Sequence, residues 1–154
     1  MPESLLAIFL GIPSAVIISW VTVQLSLKQF RTEKWWELKV NAYSRVIEAL
    51  HYSKAFSDAH LDAREAGREV DEERDHELRC RSKEAHAEIR KAMDLAGFLL
   101  SKEAQERLQR LNKELHDASN EISWDEYLAG DQAATSSCLS DLIKIAIRDL
   151  RGKG

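Results

Sequence analysis

Lys102 to Ile122 reads KEAQERLQRLNKELHDASNEI, and its spacing decides the fold class. Ala104, Leu108, Leu111, Leu115, Ala118 and Ile122 follow one another in alternating steps of four and three. Such steps return to one face of an α-helix, whereas a strand would alternate at every second residue. The run covers about two and a half heptads, shorter than an extended coiled coil and suited to packing inside a bundle. Ser101, just ahead of it, carries the hydroxyl that caps a helix N-terminus.

Working back from this segment, Leu78, Ala85, Ile89, Ala92, Met93 and Ala96 predict a second helix that ends near Gly97-Phe98-Leu99-Leu100. Charges of both signs crowd Asp62 to Glu84. Opposite charges three or four residues apart, such as Glu65 with Arg68 and Glu77 with Arg81, support an exposed helix. This stretch reads as the solvated tip of a long helical hairpin that turns between Gly67 and Asp75, with one uninterrupted helix as the competing reading. Ahead of the tip, Trp36, Val40, Tyr43, Ile47 and Leu50 share a helix face. Trp35, Leu38, Ala42, Val46, Ala49 and Phe56 form an adjoining stripe. An apolar surface that wide touches more than one neighbour, as in a bundle.

Downstream, Ser123-Trp124-Asp125-Glu126 has the spacing of a capping box, with Ile122 and Tyr127 at the staple positions. The expectation is a short helix to Leu128, a turn at Gly130-Asp131, and a last helix over 133–150. That last helix carries Leu139, Leu142, Ile143, Ala146 and Leu150 on one face. The only prolines are Pro2 and Pro13, so no proline interrupts a helix after them.

The 154 residues are unevenly charged: no Lys or Arg precedes Lys28, and Glu3 is the only acid before it. Ser4 to Leu27 reads SLLAIFLGIPSAVIISWVTVQLSL without a charge. As a helix it would be about 36 Å long, enough to cross a bilayer core of about 30 Å. The sequence therefore predicts a single transmembrane helix over 4–27, followed by a helical domain over 28–154. Lys28, Arg31 and Lys34 trail the span, which places the domain in the cytoplasm of a bacterium and the N-terminus outside the inner membrane. These three residues, with Trp35 and Trp36, are the expected juxtamembrane set facing lipid headgroups. Ala7, Gly11, Ala15 and Ser19 recur every fourth residue and predict a packing ridge for a second membrane helix.

No phosphate loop, nucleophile elbow or zinc-protease motif occurs, so no catalytic residue and no cofactor is expected. Glu48 with His51, and Glu73 with His76, have the Glu-x-x-His spacing of di-metal carboxylate bundles, but nothing selects the further carboxylates such a site needs. Cys80 and Cys138 are far apart and lack metal-ligand spacing, although Cys138 follows a Thr-Ser-Ser run that would open the last helix. His60, His86 and His116 read as surface or boundary residues. Over 28–154 the 22 basic residues are interleaved with 25 acidic ones, which argues against nucleic acid.

The sequence thus predicts an all-α, non-enzymatic scaffold anchored in a membrane, acting as a homo-oligomer or bound to another membrane-associated protein. Its packing face would comprise Trp36, Val40, Tyr43, Ile47, Leu50, Leu108, Leu111 and Leu115. An oligomeric membrane effector or small channel is the first alternative; a di-metal oxidase using the two Glu-x-x-His pairs is the second.

Overall fold

The computed structural model describes the backbone of residues 3–151 and the side chains of 24–151 apart from Ala96. Among the described residues the chain is all-α, with α1 Glu3–Glu65, α2 Glu72–Leu99, α3 Lys102–Ser119 and α4 Trp124–Arg151. The chain divides into two compact units, Met1–Glu37 and Leu38–Gly154.

Local chemistry sets the helix ends. At the end of α1, Gly67 takes a left-handed φ of 64°. The Gly67 and Arg68 N–H groups turn back onto the carbonyls of Arg64 and Ala63, both at 2.9 Å. This paired closure is a Schellman motif, and only glycine adopts its left-handed position without steric cost. Asp71 then receives the Arg74 N–H at 3.4 Å, and Glu72, Glu73 and Asp75 place negative charge on the first turn of α2. Ser101 caps α3 by accepting the Ala104 N–H. At the start of α4 the Ser123 hydroxyl accepts the Asp125 N–H at 3.3 Å. The staple beside it does not form, because Ile122 is fully solvent-exposed.

In the unit from Leu38 onward, all four helices feed one large apolar cluster. Tyr43, Val46 and Leu50 come from α1, Ala85 and Ile89 from α2, Ala104, Leu108 and Leu111 from α3, and Cys138, Leu142 and Ile145 from α4. A smaller cluster gathers Phe56, Leu78 and Leu128 nearer the hairpin tip. Ser53, Ser57, Asp131 and Thr135, all buried, lie along the helices where one cluster gives way to the other.

The last helix departs from its predicted form. No turn occurs at Gly130-Asp131; α4 continues through both. A Cβ at Gly130 would lie 2.9 Å from the Cβ of Ala118, so this glycine serves the close approach of α3 and α4. A small residue at a helix crossing and a small residue in a turn look alike in sequence. Thr135 and Cys138 consequently sit deep within α4. Thr135 donates its hydroxyl to the Asp131 carbonyl at 2.7 Å and caps nothing.

The membrane expectation is corrected as well. Among the described residues no helix is long and apolar enough to cross a membrane. The side chains of 4–23, including Ala7, Gly11, Ala15 and Ser19, lie outside the described residues. The part of the expected span whose side chains are described, 24–27, passes directly into the charged stretch from Lys28 to Glu37. The transmembrane element of the predicted fold is therefore withdrawn. The single-pass inner-membrane location, the bilayer as partner, the anchored scaffold and the channel reading depended on it and are withdrawn with it. What stands is an all-α chain with extensive packing between helices.

Candidate functional site

In the first unit, Lys28, Arg31, Lys34, Trp35 and Trp36 are all exposed, and Lys34 pairs with Glu37 at 2.7 Å. Trp36, expected on the packing face, keeps 51% of its surface in solvent. The remaining members of that face lie in the second unit. Tyr43, Leu50, Leu108 and Leu111 are buried, while Val40, Ile47 and Leu115 are half-buried.

Tyr43 also acts as a polar anchor. Its hydroxyl donates to Asp149 Oδ2 at 2.7 Å and lies 3.1 Å from Ser101 Oγ, and Lys39 reaches the same Asp149 oxygen at 2.8 Å. One phenol thereby joins α1, the cap of α3 and the end of α4.

Among the clefts that border the bundle, two carry apolar walls beside polar groups. The first, of about 190 Å³, lies between α1 and α2. Its walls are Leu38, Ala42 and Val46 on one side and Ala92, Leu95 and Leu99 on the other. Arg45, Lys91 and Glu88 stand at its margin. One helical turn from Leu95, Phe98 projects with 80% of its surface exposed.

The second cleft, of about 290 Å³, is bordered by α2, α3 and α4 and has mixed character. Ile89, Met93, Leu111 and Leu115 supply apolar surface, and His86, Tyr127 and Asp131 supply polar groups. Behind it Ser53 Oγ lies 2.8 Å from His86 Nε2, and Ser57 donates its hydroxyl to Asp131 Oδ2 at 2.5 Å. Burial shifts both titratable groups toward their neutral forms. It pushes the Asp131 carboxyl above its ordinary value, against the opposing Ser57 hydrogen bond and the attraction of His86. It holds the His86 imidazole below its ordinary value, against the pull of Asp131.

A third polar group is structural. Arg107 is only 5% exposed, yet its guanidinium meets Asp141 at 2.8 Å, Glu114 at 3.2 Å and Ser137 at 3.2 Å. It sits on the α3 face toward α4, beside Cys138. Burial pushes the pKa of that thiol up to about 12, so the lowered pKa of a thiol at a helix N-terminus does not apply.

At the hairpin tip, Phe56, His60, Trp124 and Tyr127 form an aromatic group, with the Arg79 guanidinium 5.8 Å from the Phe56 ring centre. His60 Nε2 lies 2.9 Å from Asp75, a partner far from it in sequence.

Neither Glu-x-x-His pair gathers a metal set. Glu48, His51, Glu73 and His76 are exposed. Among the described residues no three metal-ligating side chains converge. The oxidase alternative lacks the further carboxylates it required.

Sequence reading assigned no role to Arg107, His86 or Asp131. An arginine between Glu106 and Leu108 resembles any other residue of a charged helix. Its one signal was a register one residue ahead of Leu108, at the border of the apolar face. Compared with family models, curated proteins and solved structures, the chain matches none.

Proposed function

We propose that the unit from Leu38 onward is a non-catalytic helical interaction module that pairs with a second copy of itself through the α1–α2 cleft. The observation that carries this reading is the combination of a hole and a knob on one surface. The cleft is lined by Leu38, Ala42, Ala92, Leu95 and Leu99, and Phe98 protrudes beside it. A two-fold contact requires a self-complementary patch, in which each copy supplies both parts. The margin satisfies the same condition in charge, because Arg45 and Lys91 stand with Glu88. Exposed aromatic side chains near apolar recesses are the usual anchors of such contacts. A non-catalytic role is supported by the sealing of Ser53, Ser57 and Thr135, whose hydroxyls are fully buried and engaged within the bundle.

Sedimentation of the full chain at micromolar concentration tests the proposal. A dimer is expected for the native sequence, and a monomer for Phe98→Glu combined with Leu95→Glu. A native chain that sediments as a monomer, or a double variant that still dimerises, would refute it.

A further inference from the structure

We infer that the cleft bordered by α2, α3 and α4 binds a small organic cation, a primary ammonium group carrying a short apolar body. The cleft shares no lining residue with the α1–α2 cleft, so this inference does not depend on the dimer.

The argument begins with Asp131. The residue is 3% exposed, and the Ser57 hydroxyl serves one of its two carboxylate oxygens. Among the described residues no Lys, Arg or His forms an ion pair with it. A buried carboxylate normally gains a cation or further donors, because losing water without replacement is costly. Arg107 in the same bundle has such a set of partners; Asp131 does not.

His86 presents a matching half-satisfied group. Its Nε2 faces Ser53, which leaves Nδ1 without a hydrogen-bond partner among the described residues. Neither Nδ1 of His86 nor the second oxygen of Asp131 is among the sealed side-chain atoms that lack a hydrogen bond. Both residues line the same cleft.

The chemistry of the lining then selects the ligand. An ammonium has three N–H donors and a positive charge. One donor satisfies the carboxylate of Asp131. A second satisfies His86 Nδ1 in the tautomer whose Nε2–H donates to Ser53. An anion is disfavoured by Asp131, and a metal ion finds no three converging ligands among the described residues. Ile89, Met93, Leu111 and Leu115 provide apolar walls for the body of the ligand. Arg90 lies on the rim and repels a second positive charge, which favours a monoamine over a polyamine. A volume of about 290 Å³ stands at the small end of ligand pockets and limits the body to a short chain or a single ring.

The test is titration of the full chain with phenethylamine, followed by calorimetry and by the NMR signals of the Met93 methyl group and the His86 ring. Phenethyl alcohol, of the same shape without the charge, is the control. Saturable binding of the amine is expected, with the alcohol weaker by about tenfold or more, as for loss of a charged hydrogen bond. Asp131→Asn should lower amine affinity to that of the alcohol. Leu115→Trp should abolish binding of both by filling the cleft while leaving the Ser57–Asp131 bond intact, and circular dichroism would verify that it folds. Absence of saturation, equal affinity for amine and alcohol, or native affinity in folded Leu115→Trp would each overturn the inference. Should Asp131→Asn fail to fold, the amine–alcohol ratio and Leu115→Trp decide the matter.

Discussion

Arg107 and Asp131 are both charged residues in the interior of one bundle, and their surroundings differ sharply. Arg107 meets two carboxylates and a hydroxyl, so its charge and its planar donors are compensated within the protein. Asp131 has one hydroxyl and a neighbouring imidazole whose pKa burial lowers. A buried charge with a complete partner set fixes the alignment of two helices. A buried charge with an incomplete set bordering a cleft has capacity left for something outside the chain.

Breaking the complete set should have the largest effect. Arg107→Ala leaves Asp141 and Glu114 facing one another without their shared cation. Urea unfolding should show a loss of about 3 kcal/mol, the lower range for disrupting a buried ion pair, since both acids retain access to water. A loss below about 1 kcal/mol, the range of a surface pair, would make Arg107 an exposed ion pair in effect and remove the contrast.

The next effect concerns the crossing that positions Asp131. Gly130→Ala brings a methyl group against Ala118, a short rigid side chain that cannot swing away. Overpacking of this kind should cost about 1–3 kcal/mol by thermal or urea unfolding. Ala118→Gly in the same chain should recover part of the loss, less the roughly 1 kcal/mol that glycine costs inside a helix. Equal stability of Gly130→Ala and the native chain would show that α3 and α4 separate there readily.

The smallest effects are pH slopes, and they carry opposite signs at the two members of the incomplete set. Burial raises the folded-state pKa of Asp131. Its contribution is therefore fully present below the ordinary carboxyl range and is lost as pH rises through the raised value. His86 is shifted downward. Its contribution is present above the ordinary imidazole value and is lost as pH falls through the lowered one. Urea midpoints measured across the acidic range should flatten on the rising side in Asp131→Asn and on the falling side in His86→Gln. Native slopes retained in both variants would place the titrating groups elsewhere in the bundle.

The parts of the fold legible in sequence share a physical cause. Helix spacing, the Ser101 cap and the glycine that closes α1 depend on interactions within a few residues, and local sequence reports them directly. Leu108 and Leu111 fall on a buried face because a heptad places them there. The readings that changed depended on a distant partner. Gly130 looked like a turn because Ala118 was invisible beside it, and Ile122 looked like a staple although it emerges into solvent. The uncharged stretch at 4–27 looked like a membrane span, yet among the described residues no helix is long and apolar enough to cross one.

By itself, then, the sequence determined an all-α chain and the apolar faces of its helices, because periodicity and end-capping are short-range properties of the backbone. Only the tertiary structure decided which polar residues would meet. Ser53 and His86 stand 33 positions apart, and Ser57 and Asp131 stand 74 apart. Burial shifts the acidities of His86 and Asp131 only once the helices have closed around them. No periodic signal marks a lone Asp or His for such a place; the packing of the helices does.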